Sequence, residues 1–457
     1  MSIVSDKPNI PNMPNILFIL ADDLGWNDVG YHGSPIRTPN IDRLVATGVE
    51  LDYHYVCPVC TPTRTALLTG RYPGRFGKHA TVPSNDPILP DRYETLAGAL
   101  RRAGYDTGLF GKWHLGSRSE YGPNAYGFNT AYGSLAGGVD PYNHCYKRGP
   151  YMKTWHRNGS LIDEPGHVTD LIAGEACRWI AARSDTCNTS DTSGTPRSPW
   201  FCYVPFTAVH IPVDVPSAWL DKYADKKYDD DPARDMSYKR YAAYTSHMDA
   251  AVGRLIDTLK EHNQFHNTIV VFASDNGATM QVRGDLDNYP GWHWPAPRLG
   301  SNAPLRGQKA QLYEGGIRTP AVISWPGILS PGKCSVPIHV VDWMPTFTKL
   351  VGYCPESDPQ WDGMDIWPVI AGSPTASPAS RSFYWNLRGT QFAVRRGPWK
   401  LILDEAAEKC ELFNLEADPH EQNELSAALP EIVGQLKDVI AAERQKDDSS
   451  KRPDAPN

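Results

Sequence analysis

The chain has 457 residues, of which 40% are hydrophobic, and it includes 14 tryptophans and 22 tyrosines. Its length exceeds one compact core and predicts two domains, and its composition is that of a globular protein. A formal net charge of −7 argues against a protein that binds nucleic acid or another polyanion through a general positive field. An anionic ligand would need a local basic pocket.

The N-terminal residues show no export signal. Residues 1–15 lack a basic start followed by an apolar core, and the first apolar run, residues 16–20, is short. No run approaches the length of a membrane span. We therefore expect a cytoplasmic protein without a membrane span, or a periplasmic or extracellular one if an export signal was removed.

Four short apolar runs are rich in β-forming residues and end at turn residues, which is typical of buried strands. Each is followed by side chains that can bind ligands or move protons. The runs with their polar followers are residues 16–20 with Asp22 and Asp23, residues 105–110 with Lys112 and His114, residues 201–204 with His210, and residues 269–273 with Asp275 and Asn276.

Helical patterns lie between these runs, over residues 94–104, 169–183 and 237–262, and the charge-rich residues 224–235 are expected to be a solvated loop. Strands that alternate with helices predict an α/β fold with a large, mainly parallel or mixed sheet covered by helices on both faces. Ligands of such sheets bind beyond the carboxyl ends of the strands. The four polar groups are therefore expected to form one site at that edge.

A further helix is predicted to begin at Cys60, in the segment CTPTRTALLTGR. Pro62 suits the first turn of a helix because it has no N–H to leave unpaired, and Gly70 is a typical helix end. The free N–H groups at such a start favour an anion. Cys57 and Cys60 also form a C-x-x-C pair, which is found in redox sites and in half of a zinc site, but no second such pair is present.

The C-terminal part begins after residues 372–380, which have the composition of a linker. Strand-like runs follow at residues 383–385, 391–395, 399–403 and 411–415, and a helix is predicted over residues 430–446. We expect a small antiparallel sheet with a packed helix. The predicted domains are a catalytic domain over residues 1–375 and a C-terminal subdomain over residues 376–457.

Asp22, Asp23, Asp275 and Asn276 supply three carboxylates and one amide at strand ends. Such hard oxygen ligands suit Ca²⁺ or Mg²⁺ rather than zinc, which prefers histidine or cysteine. Taken singly, each pair is more often a helix cap with a solvated carboxylate. Taken together, they predict a metal site.

Four segments resemble the type I formylglycine-dependent sulfatases of the alkaline phosphatase superfamily, and most closely the arylsulfatase B group of N-acetylgalactosamine-4-sulfatases. They are NILFILADDLGWNDVGYHGS, CTPTRTALLTGR, GKWHLG and LRGQKAQLYEGGIRTP. The likeness covers most of residues 14–350, and ELFNLEADPHEQNEL resembles the terminal domain of that family. It implies an alkaline-phosphatase-like fold and hydrolysis of a sulfate ester.

The resemblance also implies how the nucleophile is made. Cys60 would be oxidised after translation to formylglycine by a formylglycine-generating enzyme, and the hydrate of this aldehyde would be both nucleophile and metal ligand beside the four strand-end residues. A disulfide between Cys57 and Cys60 would block that conversion.

The remaining roles are implied in the same way. Lys112 and Lys309 would hold the sulfate, and Arg64 would orient the formylglycine. His114 would remove a proton from the hydrate, so that the sulfated intermediate collapses. His210 would protonate the leaving alcohol.

Substrate choice is expected in loops. Trp292 is placed to stack on a sugar face and His293 to bond a hydroxyl, within the aromatic-rich residues 289–295. Asn143 and His144 lie in a second candidate loop. Packing of these side chains on their own domain is an equally good interpretation.

The leading hypothesis is a sulfatase acting on a sulfated carbohydrate or an aryl sulfate. A phosphonate monoester or phosphodiester hydrolase is the nearest alternative, because such relatives share the fold and the cysteine motif. A binder of sulfated glycans that keeps Cys60 as a thiol is the alternative from another class.

Overall fold

The computed structural model describes residues 13–184, 198–282, 295–373 and 381–455. The strands in these ranges are β1 (Asn15–Ala21), β2 (Val49–Leu51), β3 (His54–Tyr55), β4 (Asp106–Lys112), β5 (Thr130–Ser134), β6 (Trp155–Arg157), β7 (Ser160–Leu161), β8 (Trp200–Pro205), β9 (Thr268–Ser274), β10 (Ala321–Ser324), β11 (Gly332–Cys334), β12 (Ile338–His339), β13 (Ser382–Leu387), β14 (Gln391–Arg396), β15 (Trp399–Asp404) and β16 (Lys409–Asn414).

The helices of the same ranges are α1 (Pro39–Thr47), α2 (Cys60–Thr69), α3 (Leu96–Arg102), α4 (Val168–Ala181), α5 (Ser217–Leu220), α6 (Pro232–Glu261), α7 (Glu314–Ile317), α8 (Trp343–Leu350), α9 (Trp367–Ile370) and α10 (Pro430–Arg444). Short 3₁₀ turns connect several of them.

A ten-stranded sheet forms the centre of the molecule, in the order β11-β2-β10-β9-β1-β8-β4-β5-β6-β7. The five strands from β9 to β5 run parallel to one another. Antiparallel pairing appears on both sides of them, where β10 joins β9 and β6 joins β5. The predicted mixed, mainly parallel sheet is confirmed.

Strand β1 shows why the sheet is covered on both faces. Its side chains alternate, so that Ile16 and Phe18 belong to one hydrophobic core while Leu17 and Ile19 belong to another. Helices α2, α3 and α8 contribute to the first core, and α1, α4 and α6 to the second. A strand with two buried faces reads as a continuous apolar run, which is why the sequence located it.

Two helix starts differ from the sequence prediction. Helix α6 begins at Pro232, where the Asp231 side chain caps it by accepting from the Ala233 N–H at 2.8 Å. The end of the segment predicted to be a solvated loop is therefore helical. Helix α4 is capped by His167, which accepts from the Thr169 N–H at 3.2 Å, rather than by Thr169.

Strands β13 to β16 form the separate antiparallel sheet that was predicted, with α10 packed on it. One face of this sheet shares the first hydrophobic core with the large sheet, and the other packs on Tyr55, Val59 and Ile317. The boundary predicted between residues 375 and 376 lies outside the described residues, as does most of the predicted linker, so the division into two domains stays a prediction.

Three buried charged residues join the small sheet to the large one, and we call them the interface cluster: Glu314, Lys400 and Glu421. The Lys400 ammonium lies 2.9 Å from a Glu314 carboxylate oxygen and 2.8 Å from one of Glu421. The second oxygen of Glu314 accepts from the Tyr55 hydroxyl at 2.8 Å. The cluster is closed, since its charges contact one another or neighbouring protein groups.

None of the helices in the described ranges is long and apolar enough to cross a membrane. The compartment stays a prediction. Cys57 and Cys60 are both free, so the disulfide that would block Cys60 is not formed.

Candidate active site

The carboxyl ends of four neighbouring strands bring the predicted polar residues together. Asp22 follows β1, Lys112 ends β4, His210 lies five residues beyond β8, and Asp275 follows β9. Backbone hydrogen bonds join these ends, because the Asp22 N–H donates to the Ala208 carbonyl at 2.9 Å and the Asp275 N–H to the Ala21 carbonyl at 3.0 Å. The sheet edge thus holds residues that are far apart in sequence.

Asp22, Asp23, Asp275 and Asn276 are fully or almost fully buried at this edge, and we call them the acidic cluster. The Asn276 amide donates to Asp23 at 2.7 Å, and the Asp23 N–H donates to the Asp275 carboxylate at 3.2 Å. Asp23 has φ of 63°, a left-handed conformation that aspartate tolerates better than most residues. This turn points the main chain back into the site.

Arg64, the arginine of the cysteine motif, connects the acidic cluster to the end of β4. Arg64 has no exposed surface, and its guanidinium donates to Asp275 at 2.7 Å and to the Lys112 carbonyl at 3.0 Å. Burial tends to lower its pKa, but the neighbouring negative charges, of which Asp275 contributes most, together outweigh that effect, so the net pKa is raised. Arg64 therefore stays charged and fixes α2 to the ends of β4 and β9.

Cys60 is the first residue of α2 and is 2% exposed. Val59 before it is extended, and Gly70 ends the helix with φ of 69°. Burial raises the pKa of the Cys60 thiol, although Lys112 and Lys309 act to lower it. The residue thus lies within electrostatic reach of both lysines, and its unmodified thiol is a poor nucleophile there.

The two predicted sulfate-binding lysines approach the acidic cluster from different sides. Lys112 is fully buried, and its ammonium lies 2.6 Å from Asp22. Lys309 lies 2.7 Å from Asp23, with 16% of its side chain exposed. The charge of Lys309 holds the pKa of Asp23 below its usual range, although burial alone would raise it.

Both predicted catalytic histidines border the same space. His114 has φ of 61°, and a Cβ at Gly137 would lie 2.2 Å from its ring, so only glycine fits there. His210 bonds the Ile211 carbonyl through Nδ1 at 2.5 Å, and its Nε2 lies 4.0 Å from Asp23. Burial, with the charge of a nearby lysine, lowers the pKa of both rings.

The acidic cluster passes a test for a cation site. Two of its oxygens, Oδ1 of Asp22 and Oδ1 of Asn276, are buried without a hydrogen-bond partner, which is costly unless a ligand satisfies them. Burial and the charge of Asp275 raise the pKa of Asp22 to about 7, as expected where carboxylates crowd together. The donor set consists of hard oxygens, which fits Ca²⁺ or Mg²⁺.

A second group of possible metal ligands, His167, Asp170 and His247, lies between α4 and α6. His167 accepts from the Thr169 N–H through Nδ1 and contacts the Asp214 carbonyl through Nε2 at 3.1 Å. Neither ring nitrogen of His167 keeps a free lone pair, so His167 acts as a hydrogen-bonding residue and the set of three ligands is incomplete, although Nδ1 of His247 is buried without a hydrogen-bond partner.

The predicted substrate-binding residues do not join the catalytic group. The Asn143 side chain accepts from the Cys145 N–H at 2.8 Å, and His144 is buried and stacked on Trp155 with ring centroids 4.6 Å apart. They border a small separate cavity of 100 Å³. Trp292 and His293 lie outside the described residues. A substrate role for these four residues stays a prediction.

The sequence did not single out three residues that support the cluster. Thr63 donates to the Asp275 carbonyl at 2.6 Å, Thr279 donates to Asp23 at 3.1 Å, and Gly137 makes room for His114. Thr63 lies inside the cysteine motif and Thr279 three residues after Asn276, so proximity to a motif was the available signal.

A cavity of 220 Å³, which we call the Lys309 cavity, opens beside Lys309 and is bordered by Val59, the residue before Cys60. A larger cavity of 540 Å³ shares Gln281 and Gln308 with it. The two cavities are neighbours, and each is larger than a sulfate ion.

Comparison with known proteins gives one consistent result. A family model described as Sulfatase matches residues 14–353. The chain is 31% identical over 480 residues to arylsulfatase J of Mus musculus, covering 93% of this chain and 75% of that protein. It is 31% identical over 414 residues to N-acetylgalactosamine-6-sulfatase of Rattus norvegicus, covering 86% and 72% respectively.

Among solved structures, Ps i-CgsB in complex with k-i-k-neocarrahexaose superposes with a TM-score of 0.81 at 29% sequence identity, covering 96% of this chain and 95% of that one. The family and the alkaline-phosphatase-like fold expected from the sequence are confirmed. The finer likeness to the arylsulfatase B group stays a prediction.

Proposed function

Because the chain belongs to the sulfatase family and is thus a sulfuric ester hydrolase, we propose that it hydrolyses a sulfate ester of a sulfated carbohydrate through formylglycine made from Cys60. The observation that carries this proposal is the position of Cys60. It begins a helix within electrostatic reach of Lys112 and Lys309 and beside a buried acidic cluster.

The cation would be held by the acidic cluster and the formylglycine. We propose that it is Ca²⁺ rather than Mg²⁺, because Mg²⁺ keeps several waters, whereas Ca²⁺ accepts many protein oxygens in a flexible geometry. Its charge would favour loss of a proton from the hydrate and so supply a strong nucleophile. Arg64 and the two lysines match the three carboxylates in charge, so the bound cation would leave a net positive site for an anionic ester.

In the first step, residue 60, once converted, would supply the oxygen nucleophile that takes the sulfate. The bond from sulfur to the sugar oxygen would break as a sulfur–oxygen bond to the enzyme forms. Lys112 and Lys309 would donate to the sulfate oxygens while charge shifts to the leaving oxygen. His210 would give that oxygen a proton, since the negative charge of the bound ester favours the protonated ring.

In the second step, His114 removes the proton from the remaining hydroxyl of residue 60. Loss of that proton would allow the carbonyl bond to re-form while the bond from carbon to the sulfate oxygen breaks and sulfate leaves. Addition of water would then restore the hydrate. The low pKa of His114 keeps its ring neutral and able to accept a proton, and its Nδ1 has no hydrogen-bond partner.

A carbohydrate ester is favoured over a simple aryl sulfate by the size of the space beside Lys309. The two neighbouring cavities exceed what a sulfate group needs, and the similar protein Ps i-CgsB was solved in complex with k-i-k-neocarrahexaose. The lysine pair supports sulfate transfer over the alternative of phosphonate or phosphodiester hydrolysis.

The proposal is tested by sulfate release from sulfated mono- and oligosaccharides, an aryl sulfate and a phosphodiester. The protein is co-expressed with a formylglycine-generating enzyme, and the mass of the peptide containing residue 60 reports conversion. Cys60→Ala serves as the blank, and Cys57→Ala, in the same C-x-x-C, is the matched control that keeps its activity.

We expect loss of the Cys60 sulfur and sulfate release from a sugar by the unsubstituted protein. Phosphodiester turnover without any sulfate release would support the alternative hydrolase. An intact Cys60 thiol after co-expression, with no turnover of any ester, would contradict catalysis and favour a binder of sulfated glycans.

A further inference from the structure

One wall of the Lys309 cavity comes from the C-terminal sheet. Leu387, the last residue of β13, and Arg388, in the turn to β14, line the cavity together with Val59 and Pro83. A residue far along the chain from every motif therefore lines a cavity that reaches Lys309, which is proposed to hold the scissile sulfate.

Arg388 is exposed and carries its charge without a protein partner, since it forms no ion pair or hydrogen bond through its side chain among the described residues. Lys78 lies at the same turn, because its side chain would come within 3.3 Å of a Cβ on Gly389. Lys78 likewise has no carboxylate partner in the described part of the chain. Two cations at one turn repel each other unless an anion joins them.

The backbone conformation of the turn is unfavourable for an arginine, which suggests a functional role for the Arg388 side chain. Arg388 has φ of 61° and Gly389 has φ of 70°. In this left-handed region an arginine costs about 1 kcal/mol more than glycine, and asparagine is also better tolerated. A strained residue at a cavity wall is a reason to look for function in its side chain.

We propose that Arg388, assisted by Lys78, binds a second acidic group of the substrate, so that the enzyme prefers a glycan with two neighbouring anionic groups to one with the scissile sulfate alone. The second group would be a sulfate or a uronic acid carboxylate, since both match the flat fork of a guanidinium. This inference rests on the proposed function, because Lys309 must hold the sulfate that is cleaved.

Lys309 is not available for the second acidic group, because under the proposed function its ammonium, which lies 2.7 Å from Asp23, holds the sulfate that is cleaved. Among the described residues that line the cavity, Lys309 and Arg388 carry a charge, and the others are neutral: Val59, Pro83, Thr279, Gln281, Gln308, Ala310 and Leu387. Arg388 is therefore placed to set specificity, and no step of the chemistry uses it.

The test compares kcat/KM for three kinds of ester: 4-nitrophenyl sulfate, which has no second anion; monosulfated N-acetylgalactosamine; and sugars with a second anion. The last kind comprises N-acetylgalactosamine 4,6-disulfate and a monosulfated disaccharide containing a uronic acid. The variants are Arg388→Ala and Arg388→Asn, which suits the left-handed turn. Arg396→Ala is the matched control, since Arg396 is an exposed arginine at the other end of β14.

We expect the unsubstituted enzyme to prefer a doubly acidic sugar, through a lower KM. Relative to 4-nitrophenyl sulfate, this preference falls about 10-fold or more in both Arg388 variants, as expected for loss of a charge-assisted hydrogen bond. Arg388→Asn keeps the melting temperature, and Arg396→Ala keeps the preference. The sugar that loses most identifies the second group as sulfate or carboxylate.

An equal preference in the unsubstituted enzyme and the Arg388 variants would overturn the inference, and so would an equal loss in Arg396→Ala. An enzyme that releases sulfate without favouring a second anion also contradicts the inference but leaves the proposed function intact. Absence of sulfate release from every ester would instead contradict the proposed function.

Discussion

The acidic cluster and the interface cluster are both buried groups of carboxylates that face lysines, but they differ in how completely the protein satisfies them. In the interface cluster, Lys400 joins two carboxylates, and Tyr55 donates to a remaining oxygen of Glu314. Oε1 of Glu421 accepts no hydrogen bond, but it lies 2.8 Å from the Lys400 ammonium and so still contacts a cation of the protein. In the acidic cluster, Asp22 and Asn276 each keep a buried oxygen without a partner.

This difference distinguishes the interface cluster, which is structural, from the acidic cluster, which is functional. The residue types in the two clusters are too similar to distinguish them. Buried charges need partners in either case. A group that finds them all within the protein fixes two elements against each other, whereas a group that leaves oxygens free has room for a ligand. Unsatisfied atoms are thus a better indicator of function than the number of charges.

Substitution in the acidic cluster should have the largest effect on activity. Asp22→Asn removes a proposed ligand charge and is expected to lower sulfate release on the order of 10³-fold, since a metal supplies several kcal/mol of transition-state stabilisation. Added Ca²⁺ should raise the melting temperature of the unsubstituted protein but not of Asp22→Asn. Asp28→Asn, in the same loop but outside the cluster, should still respond to Ca²⁺; an equal loss there would contradict the assignment.

Substitution in the interface cluster should change the stability of the protein instead of its activity. Lys400→Met leaves two buried carboxylates without their cation and is expected to cost about 3–5 kcal/mol of the free energy of unfolding, measured in denaturant. Lys409→Met on the neighbouring strand removes a half-exposed lysine paired with Glu411, where about 0–1 kcal/mol is expected. Similar losses in both variants would refute the structural role of the interface cluster.

A smaller and more selective effect is expected at His210. His210→Gln should slow release from a sugar sulfate by about 10²-fold, because the sugar alcohol needs a proton to leave. It should slow 4-nitrophenyl sulfate much less, since that phenolate leaves without one. His114→Ala should slow both esters alike. Equal losses for both esters in His210→Gln would remove the acid role from His210.

The smallest effect concerns pH. Burial, with the nearby charge of Glu314, raises the pKa of Glu421 from 4.5 to about 7. The folded state therefore binds an extra proton between these values, and this contribution to stability is complete below pH 4.5 and is lost as pH rises through about 7. Glu421→Gln should remove a loss on the order of 2 kcal/mol between pH 5 and 8. Parallel pH profiles for both proteins would contradict this.

Much of the fold was predictable because the central strands are buried on both faces. The run at residues 269–273 became β9 with one further residue at each end, Thr268 and Ser274. Pairing between distant segments was not predictable in this way, since β8 joins β1 from far along the chain. The start of α6 had a local signal, Asp231 before Pro232, that the high charge of the segment concealed.

The residues of the site likewise divide into those that could be predicted from the sequence and those that could not. The acidic cluster was found because its residues follow strands, and Cys60 because it begins a helix. The two lysines were found because GKWHLG and LRGQKAQLYEGGIRTP resemble segments of the sulfatase family. Gly137 and Arg388 were not found, because their importance depends on tertiary contacts, one with the His114 ring and one with a cavity wall. Neither contact has a sequence spacing that reveals it.

The burial of Cys60 determines whether its oxidation comes before or after folding. With 2% of its surface exposed at the base of the site, the thiol is out of reach of a second enzyme once α2 has packed between the sheet and α3. Under the proposed function, its oxidation must come before the chain folds. Activity is then decided during biosynthesis, and a molecule that folds too early remains inactive for its lifetime.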